Sequence, residues 1–186
     1  MPHFLSWVVV FSLTYLLLSS EQGLVNKMIV SLGGKSIAFL FSTKWFYPII
    51  VIQDLWKNVG WGSIIYLAAI AGIDPSLYEA AVIDGARKSQ QIWHVTIPAL
   101  MPTIIVLFIL GLGSILDTDF EHIFLMQNAM VNQIAEVIDT YVYKQGIQSG
   151  QYSYTTAVGM FKSVISLALV LISNHAAEKH GYEGIL

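Results

Sequence analysis

Glu79-Ala-Ala-Val-Ile-Asp-Gly85 opens a polar run that continues through Ala86-Arg-Lys-Ser-Gln-Gln-Ile-Trp-His-Val-Thr-Ile97 to Pro98. It is the most polar stretch of its length in the middle of a very apolar chain. Long hydrophobic segments lie on both sides of it. A polar run between two segments long enough to span a bilayer is expected to be a loop at one membrane face. The rest of the chain then serves to place this loop.

The composition indicates a membrane protein. The 186 residues are 55% hydrophobic and 11% charged, with a mean hydropathy of +0.65, whereas a soluble domain is roughly 25% charged. A net charge of −3 without any basic run argues against a nucleic-acid partner. The chain has no cysteine, which excludes disulfides and thiolate metal sites. The five histidines never recur at i+3 or i+4, so no helical metal site is predicted.

Hydropathy predicts an all-α membrane protein with about four transmembrane helices, over residues 2–20, 47–71, 98–116 and 152–174. The first of these is short for a span, and a signal peptide is the alternative. A signal peptide carries Lys or Arg before its apolar region, and only a histidine stands there, so a span is favoured.

Several polar side chains within these spans are candidates for a substrate path. Asp54 and Lys57 are spaced i, i+3, so they share a helix face and can partly neutralise each other. Either both are solvated near the interface or both face a polar pathway. Lys162 either snorkels or lines the path. Trp56 and Tyr66 either stack on sugar rings or belong to the aromatic belt.

The polar run itself reads as a helix–turn–helix over residues 74–97. Asp74 is a good N-cap and Pro75 suits the first helical position. Gly85 can adopt a left-handed conformation and end this helix. A second short helix is predicted at about 89–95, so the run lies at the membrane face as an ordered element.

The segment 117–151 is acidic and connects the last two spans. Apolar residues recur at helical spacing over 130–142, and Gly146 is predicted to end the run. This pattern predicts an amphipathic helix on the membrane surface or against the bundle. The carboxylates of the segment resemble no catalytic pair, so they are interpreted as a solvated loop.

The orientation in the membrane does not follow from the charges. Residues 21–44 are predicted to be a mixed polar connection with a turn at Gly33-Gly34. With four spans, both termini share a side with the 74–97 segment. That side carries Arg87, Lys88 and Lys179, while the other side carries Lys27, Lys35, Lys44 and Lys144.

The central run resembles the EAA loop of ABC importer permeases. It reads Glu79-Ala80-Ala81, three residues, Gly85, nine residues, and Val95-Thr96-Ile97-Pro98. The family pattern is Glu-Ala-Ala, three residues, Gly, nine residues, Ile, any residue, Leu-Pro. Val95 and Ile97 depart from it but keep branched apolar side chains. The triplet Asp84-Gly85-Ala86 is also typical of the family.

The resemblance covers essentially the whole chain. Pro2-His-Phe-Leu-Ser-Trp-Val-Val-Val, Asp54-Leu-Trp-Lys-Asn-Val-Gly-Trp-Gly-Ser-Ile-Ile-Tyr-Leu-Ala-Ala and Gln151-Tyr-Ser-Tyr-Thr-Thr-Ala-Val-Gly are similar to the maltose-type permeases. Those proteins import oligosaccharides and polysaccharide fragments. The chain is most similar to the subgroup for lipoprotein-dependent polysaccharide uptake.

This resemblance implies a multi-pass protein of the bacterial inner membrane, with a cytoplasmic EAA loop and an extracytoplasmic amphipathic helix. The implied partners are cytoplasmic ABC ATPase subunits, a second permease subunit, an extracytoplasmic solute-binding lipoprotein, membrane lipid and a carbohydrate substrate. The partner hydrolyses ATP, because this chain has no phosphate loop, and the chain is expected to bind no cofactor and to be no enzyme. The implied ATPase-coupling residues are Glu79, Ala80, Ala81, Asp84, Gly85, Ala86 and Pro98.

The physical chemistry of the loop fits that role. Glu79 lies near the positive end of a helix dipole, and two alanines keep the helix slim enough to enter a groove. ATP-driven closure of the ATPase subunits would then move the spans as rigid bodies.

Such permeases have six spans, so the resemblance implies an N-terminally truncated, partial permease domain over residues 1–186, in which the first two spans are missing. Three alternatives stay open. The chain is a non-transporting remnant, or the loop is an interfacial helix pair without a partner. The third is an intramembrane enzyme, which the absence of a nucleophile–base or Gly-x-Ser-x-Gly constellation disfavours.

Overall fold

The computed structural model describes residues 2–182, 184 and 185, and within these ranges the chain is helical and forms no strand. Short 3-10 turns cover Pro2–Phe4 and Phe39–Phe41, and π-helical turns cover Ile92–Thr96 and Lys144–Gln148. The α-helices are α1 (Trp7–Leu18), α2 (Leu24–Ser31), α3 (Thr43–Ala71), α4 (Pro75–Ile83), α5 (Lys88–Gln91), α6 (Ile97–Gly113), α7 (Phe120–Met126), α8 (Asn132–Ala135), α9 (Ile138–Tyr143) and α10 (Tyr152–Lys179).

The all-α prediction is confirmed, and two helices are long and apolar enough to cross a membrane. These are Lys88–Gly113 and Tyr152–Lys179, and the helix pair α3 and α4, bent by 68°, makes a third candidate. α1 is apolar but has only 12 residues. The count of four spans, and the choice between a span and a signal peptide for the first segment, stay predictions.

The chain forms two compact units. The first comprises residues 1–61 and 117–159. Its apolar core joins the Phe39–Phe41 turn, the start of α3, and α7 with α8. Burial of these side chains removes apolar surface from water or from contact with lipid and packs the short helices on the long one. The buried residues of this core are Phe39, Leu40, Phe46, Ile49, Met126, Val131 and Ala135.

The polar connection predicted over 21–44 contains a helix, α2, that the sequence reasoning missed. Asn26 is only 2% exposed, and its side chain holds the segments before and after α2 together through hydrogen bonds. Its side-chain amide donates to the carbonyls of Ser19 (3.0 Å) and Ile37 (2.9 Å), and its oxygen accepts from the Ile37 N–H (2.8 Å). The predicted turn is confirmed, since Gly33 has a φ of 85°.

The amphipathic helix predicted over 130–142 is wrong as a continuous element. The helix is interrupted between α8 and α9, where the backbone of Glu136 and Val137 is extended. The completely buried Thr140 explains the break, because its hydroxyl accepts from the Val137 N–H (3.1 Å) and from the Gln127 amide (3.2 Å). That amide also donates to the Ala135 carbonyl (2.8 Å). Side chains thus satisfy backbone groups that a continuous helix would pair with one another.

The predicted end of this run is also displaced. Gly146 lies inside the π-helical turn Lys144–Gln148 and does not end it. An added Cβ at Gly146 would come within 2.8 Å of the Thr155 hydroxyl, so glycine is required there by close packing. The chain turns instead at Gly150, which has a φ of 71°.

The second unit comprises residues 62–116 and 160–186. The separate helix predicted at 89–95 is wrong, because Lys88–Gly113 is one continuous helix made of α5, a π-helical turn and α6. No residue with a positive φ interrupts this helix. The predicted span 98–116 stays a prediction, and the helix that contains its start ends at Gly113. An added Cβ at Gly113 would meet Val170 at 2.9 Å, so α6 and α10 approach closely there.

Candidate functional site

The first candidate site is the start of the polar run, and it forms as predicted. The Asp74 carboxylate accepts a hydrogen bond from the Ser76 N–H at 2.9 Å, and Pro75 occupies the first turn of α4. This bond lowers the pKa of Asp74, because it stabilises the charged carboxylate. A helix start that is satisfied locally needs no support from elsewhere in the chain.

Gly85 ends α4 in a left-handed conformation with a φ of 77°. The Ala86 N–H donates to the Ala81 carbonyl (2.9 Å), and the Gly85 N–H donates to the Val82 carbonyl (3.0 Å). These two bonds are the pair that defines a Schellman C-cap. The reversal of the chain at this point is therefore fixed by its own backbone.

The next helix, α5, begins directly after the turn, and hydrogen bonds connect it and the π-helical turn that follows it to the Gly85 turn and to α4. The Arg87 N–H donates to the Gln90 side chain (2.8 Å), and the Gln91 amide donates to the Ala86 carbonyl (3.0 Å). Further along, the hydroxyls of Tyr78 and Thr96 are 2.9 Å apart and hydrogen-bonded. This bond joins α4 to the π-helical turn and holds the two helices at one angle.

The predicted coupling residues do not form one cluster. Ala81, Asp84, Gly85 and Ala86 line a pocket of about 220 Å³ on the turn, together with Gln90, Gln91, His94 and Val95. Glu79 and Ala80 are exposed on α4 and do not line this pocket, and Pro98 lies exposed in α6. The segment also carries large exposed apolar side chains, namely Leu77, Val82, Ile83, Ile92 and Trp93.

Of the predicted path residues, Asp54 and Lys57 do not pair with each other. Lys57 is buried, its ammonium donates to the His3 carbonyl (2.9 Å), and it stands 4.9 Å from the centre of the Trp7 ring. Asp54 accepts a hydrogen bond from the Asn58 amide (2.7 Å). The expected mutual neutralisation is therefore wrong, because each group has a closer partner.

The remaining path candidates lie apart. Trp56 lines an apolar pocket between α1, α2 and α3, while Asp54 lines a different and more polar one. Tyr66 and Lys162 belong to the second unit and line neither of these pockets.

A buried chain of hydrogen bonds connects three helices of the first unit. The Thr14 hydroxyl donates to the Val10 carbonyl (2.9 Å) and accepts from the Gln53 amide (2.6 Å). The Gln53 oxygen in turn lies 2.8 Å from Nε2 of His122. The His122 ring stacks on Trp7 with centroids 3.7 Å apart. All five residues are buried, so these polar groups are satisfied by one another and not by water.

His122 forms the edge of a pocket of about 480 Å³ between α3 and the start of the acidic segment. Burial lowers the pKa of His122, and nearby Lys57 lowers it further, while Asp119 and Asp54 oppose this shift. The ring is therefore favoured in its neutral form. The lining residues are Ile50, Val51, Asp54, Leu55, Asp117, Thr118, Asp119, His122 and Ile123.

The sequence reasoning missed most of this pocket. It interpreted the acidic segment as a solvated loop, and it treated His122 as a lone histidine. One signal was present: Asp117-Thr118-Asp119 directly follows an apolar run, and His122 comes three residues later. Gln53 and Thr14 gave no signal, because their partners are 39 and 69 positions away.

Comparison with known proteins identifies the family. Residues 1–179 match the family model described as "Binding-protein-dependent transport system inner membrane component". The polygalacturonan/rhamnogalacturonan transport system permease protein YteP of Bacillus subtilis is 50% identical over 99% of this chain and 57% of its own length. Protein LplB of the same organism is 48% identical over 99% of this chain and 58% of its own length. The chain thus spans a little over half the length of these relatives.

A solved structure is also similar to this chain, in both fold and sequence. In the crystal structure of a bacterial alginate ABC transporter in complex with an alginate pentasaccharide-bound periplasmic protein, one chain superposes with a TM-score of 0.93 and 41% identity. The match covers 100% of this chain and 64% of that chain. A family match over nearly the whole chain and a relative at 50% identity agree with the resemblance of the EAA loop. The chain belongs to the family of binding-protein-dependent transport system inner membrane components.

Proposed function

We propose that the chain forms part of the transmembrane permease of an ABC importer that moves oligosaccharides or polysaccharide fragments across the bacterial inner membrane. Two relatives are named for polygalacturonan/rhamnogalacturonan and sulfoquinovosyl glycerol transport, which supports a carbohydrate substrate. A second permease subunit and an extracytoplasmic solute-binding lipoprotein complete the proposed assembly. A role in transport is also favoured over the intramembrane enzyme by family membership.

The segment 74–98 is proposed to dock on a cytoplasmic ATPase subunit that hydrolyses ATP. The observation that carries this proposal is the geometry of the turn. α4 is capped at both ends by its own residues, and the Tyr78–Thr96 bond ties it to the Lys88–Gly113 helix. A rigid element of this kind transmits a push on α4 into the helix that continues as a candidate span.

The chemistry of the exposed face of α4 supports a protein partner. Val82 is 61% and Ile83 is 86% exposed on this helix. Glu79 is exposed at i−3 and i−4 from these two residues, on the same side of α4, and offers a negative charge that a partner can pair with. It lies beyond the first turn of α4, so the expected support from the positive end of the helix dipole is wrong. Ala80 and Ala81 add little bulk, so the helix backbone can approach a groove closely.

Glu79→Lys tests the docking directly. The tagged chain is co-expressed with the ATPase subunit of a relative's importer, and the ATPase captured from mild detergent is quantified. Charge reversal at the exposed Glu79 is expected to lower capture at least about tenfold, because a favourable pair becomes a repulsive one. Glu21→Lys is the matched control, since Glu21 is also exposed but lies in the first unit. Unchanged capture by Glu79→Lys would count against docking through this face.

A further inference from the structure

The pocket that Asp54, Asp119 and His122 line offers almost only hydrogen-bond acceptors. We infer that this pocket binds an uncharged or amino saccharide unit through its hydroxyl or ammonium hydrogens and disfavours a uronate. This inference rests on the proposed function, because it names the substrate class of the proposed importer. It does not follow from the relatives, since one is named for polygalacturonan and a solved neighbour for alginate.

The first step is the tautomer of His122. The Thr14 hydroxyl hydrogen is used on the Val10 carbonyl, so Thr14 can only accept from Gln53. The nitrogen of the Gln53 amide therefore points at Thr14, and its oxygen points at His122. Nε2 of His122 must then carry the proton that this oxygen accepts. In the neutral ring, Nδ1 is left as a lone-pair acceptor.

The second step is the hydroxyl of Thr118. Both the N–H and the hydroxyl of Thr118 donate to the same Asp139 oxygen, at 2.9 Å each. With its hydrogen committed, the hydroxyl has only lone pairs to offer a ligand. The threonine therefore adds a further acceptor to the pocket.

The third step is the charge of the lining. Asp54, Asp117 and Asp119 contribute carboxylates, which accept hydrogen bonds and do not donate them when ionised. No lysine or arginine belongs to the lining formed by the described residues. The buried ammonium of Lys57 is directed to the His3 carbonyl and the Trp7 face. A uronate carboxylate would therefore meet like charges and no side-chain donor among these lining residues.

The ligand class follows from this polarity and from the size of the pocket. A volume of about 480 Å³ lies within the range of small-molecule sites. Sugar hydroxyls can donate to the acceptors while Ile50, Leu55 and Ile123 contact the apolar C–H face of the ring. A metal ion is not favoured, because no group of three or more His, Asp or Glu among the described residues has a suitable arrangement.

The test measures saccharide binding by the full chain in lipid nanodiscs, without ATPase, by isothermal titration calorimetry. The probes are pentasaccharides of glucose, of glucosamine and of galacturonate. The glucose or the glucosamine probe is expected to bind at least about tenfold more tightly than the galacturonate probe, because like charges placed together in an interface are costly. Whichever of the two binds more tightly distinguishes a neutral from an amino sugar.

Variants then locate the discrimination. Asp54→Asn and Asp119→Asn are expected to weaken the preference against galacturonate several-fold each, because each removes one repelling charge. Glu121→Gln is the matched control, since Glu121 is exposed on the same helix as His122 but does not line the pocket. If a variant fails to fold, the selectivity of the wild-type chain alone decides.

Equal or tighter binding of galacturonate, no binding of any probe, or a preference unchanged in both aspartate variants would overturn the inference. Because the assay contains no ATPase, its failure leaves the docking of segment 74–98 standing. Conversely, lost ATPase capture leaves the saccharide selectivity unaffected, so the two proposals fail separately.

Discussion

At the scale of single residues, His122 occupies an unusual environment. It stacks on Trp7, donates to Gln53 and lies at the edge of a pocket with acidic side chains. Burial lowers the pKa of His122, although the carboxylates of Asp119 and Asp54 oppose this shift. Desolvation of the charged ring therefore outweighs the attraction of nearby carboxylates.

The lowered pKa predicts how stability depends on pH. Above the ordinary value of about 6.5, the ring is neutral in both the folded and the unfolded chain. As the pH falls, the unfolded chain takes up the proton first, so folded stability is lost from about pH 6.5 down through the lower folded pKa. We expect the thermal midpoint in detergent to fall over this window. In His122→Gln this part of the pH dependence should be reduced.

His94→Gln serves as the control, because His94 is exposed and lies in the second unit, where its ring forms a hydrogen bond with the Gln90 carbonyl. Its pH dependence should match that of the unmodified chain. A His122→Gln variant that loses stability with the same pH profile as the unmodified chain would show that this histidine does not set the dependence.

At the scale of elements, the turn at Gly85 determines how α4 meets the Lys88–Gly113 helix. Gly85→Pro is expected to abolish this geometry, because proline cannot adopt a φ of 77° and cannot donate to the Val82 carbonyl. ATPase capture should fall at least about tenfold while the chain still inserts in the membrane. Quantitative co-purification from matched membrane fractions measures both.

Gly150→Pro is the matched substitution for this test. Gly150 also has a positive φ, at 71°, and space around its Cα position, but it lies in the first unit. An equal loss of ATPase capture by the two variants would mean that general misfolding, and not the turn at Gly85, is responsible.

The same scale shows what the sequence could predict. Asp74, Pro75 and Gly85 act on their immediate neighbours, so their roles as cap, first residue and terminator follow from local chemistry. The continuity of Lys88–Gly113 was missed, although no glycine and no positive φ separates residue 95 from Pro98. The predicted bounds there rested on polarity, and polarity marks the membrane surface rather than the end of a helix.

Elements held by distant partners were not predictable. Asn26 pins α2 through Ile37, and Thr140 breaks the helix expected over 130–142 by bonding Gln127. The pocket at His122 depends on Gln53, which lies 69 positions away in the chain. Hydrophobic periodicity describes one helix face at a time. It does not show which buried polar side chains from different helices form hydrogen bonds with each other.

At the scale of the whole molecule, family and architecture agree with the sequence prediction of an all-α transport component. Many large side chains on the described helices are exposed, including Phe161 and Ile172 on α10, at 68% and 67%. Apolar surface of this kind is compatible with contact to lipid or to other subunits. The candidate spans Lys88–Gly113 and Tyr152–Lys179 are both of this type.

The most direct test of the central claim is site-specific cross-linking of segment 74–98 to the ATPase. The chain has no cysteine, so a single cysteine at Ala80 is a unique attachment point. In native membranes that contain the assembled importer, Ala80→Cys with a short thiol cross-linker is expected to yield a product with the ATPase subunit. Ser36→Cys, exposed on the predicted opposite side of the membrane, should yield none. A product from Ser36→Cys with none from Ala80→Cys would contradict the proposed coupling role and its cytoplasmic orientation.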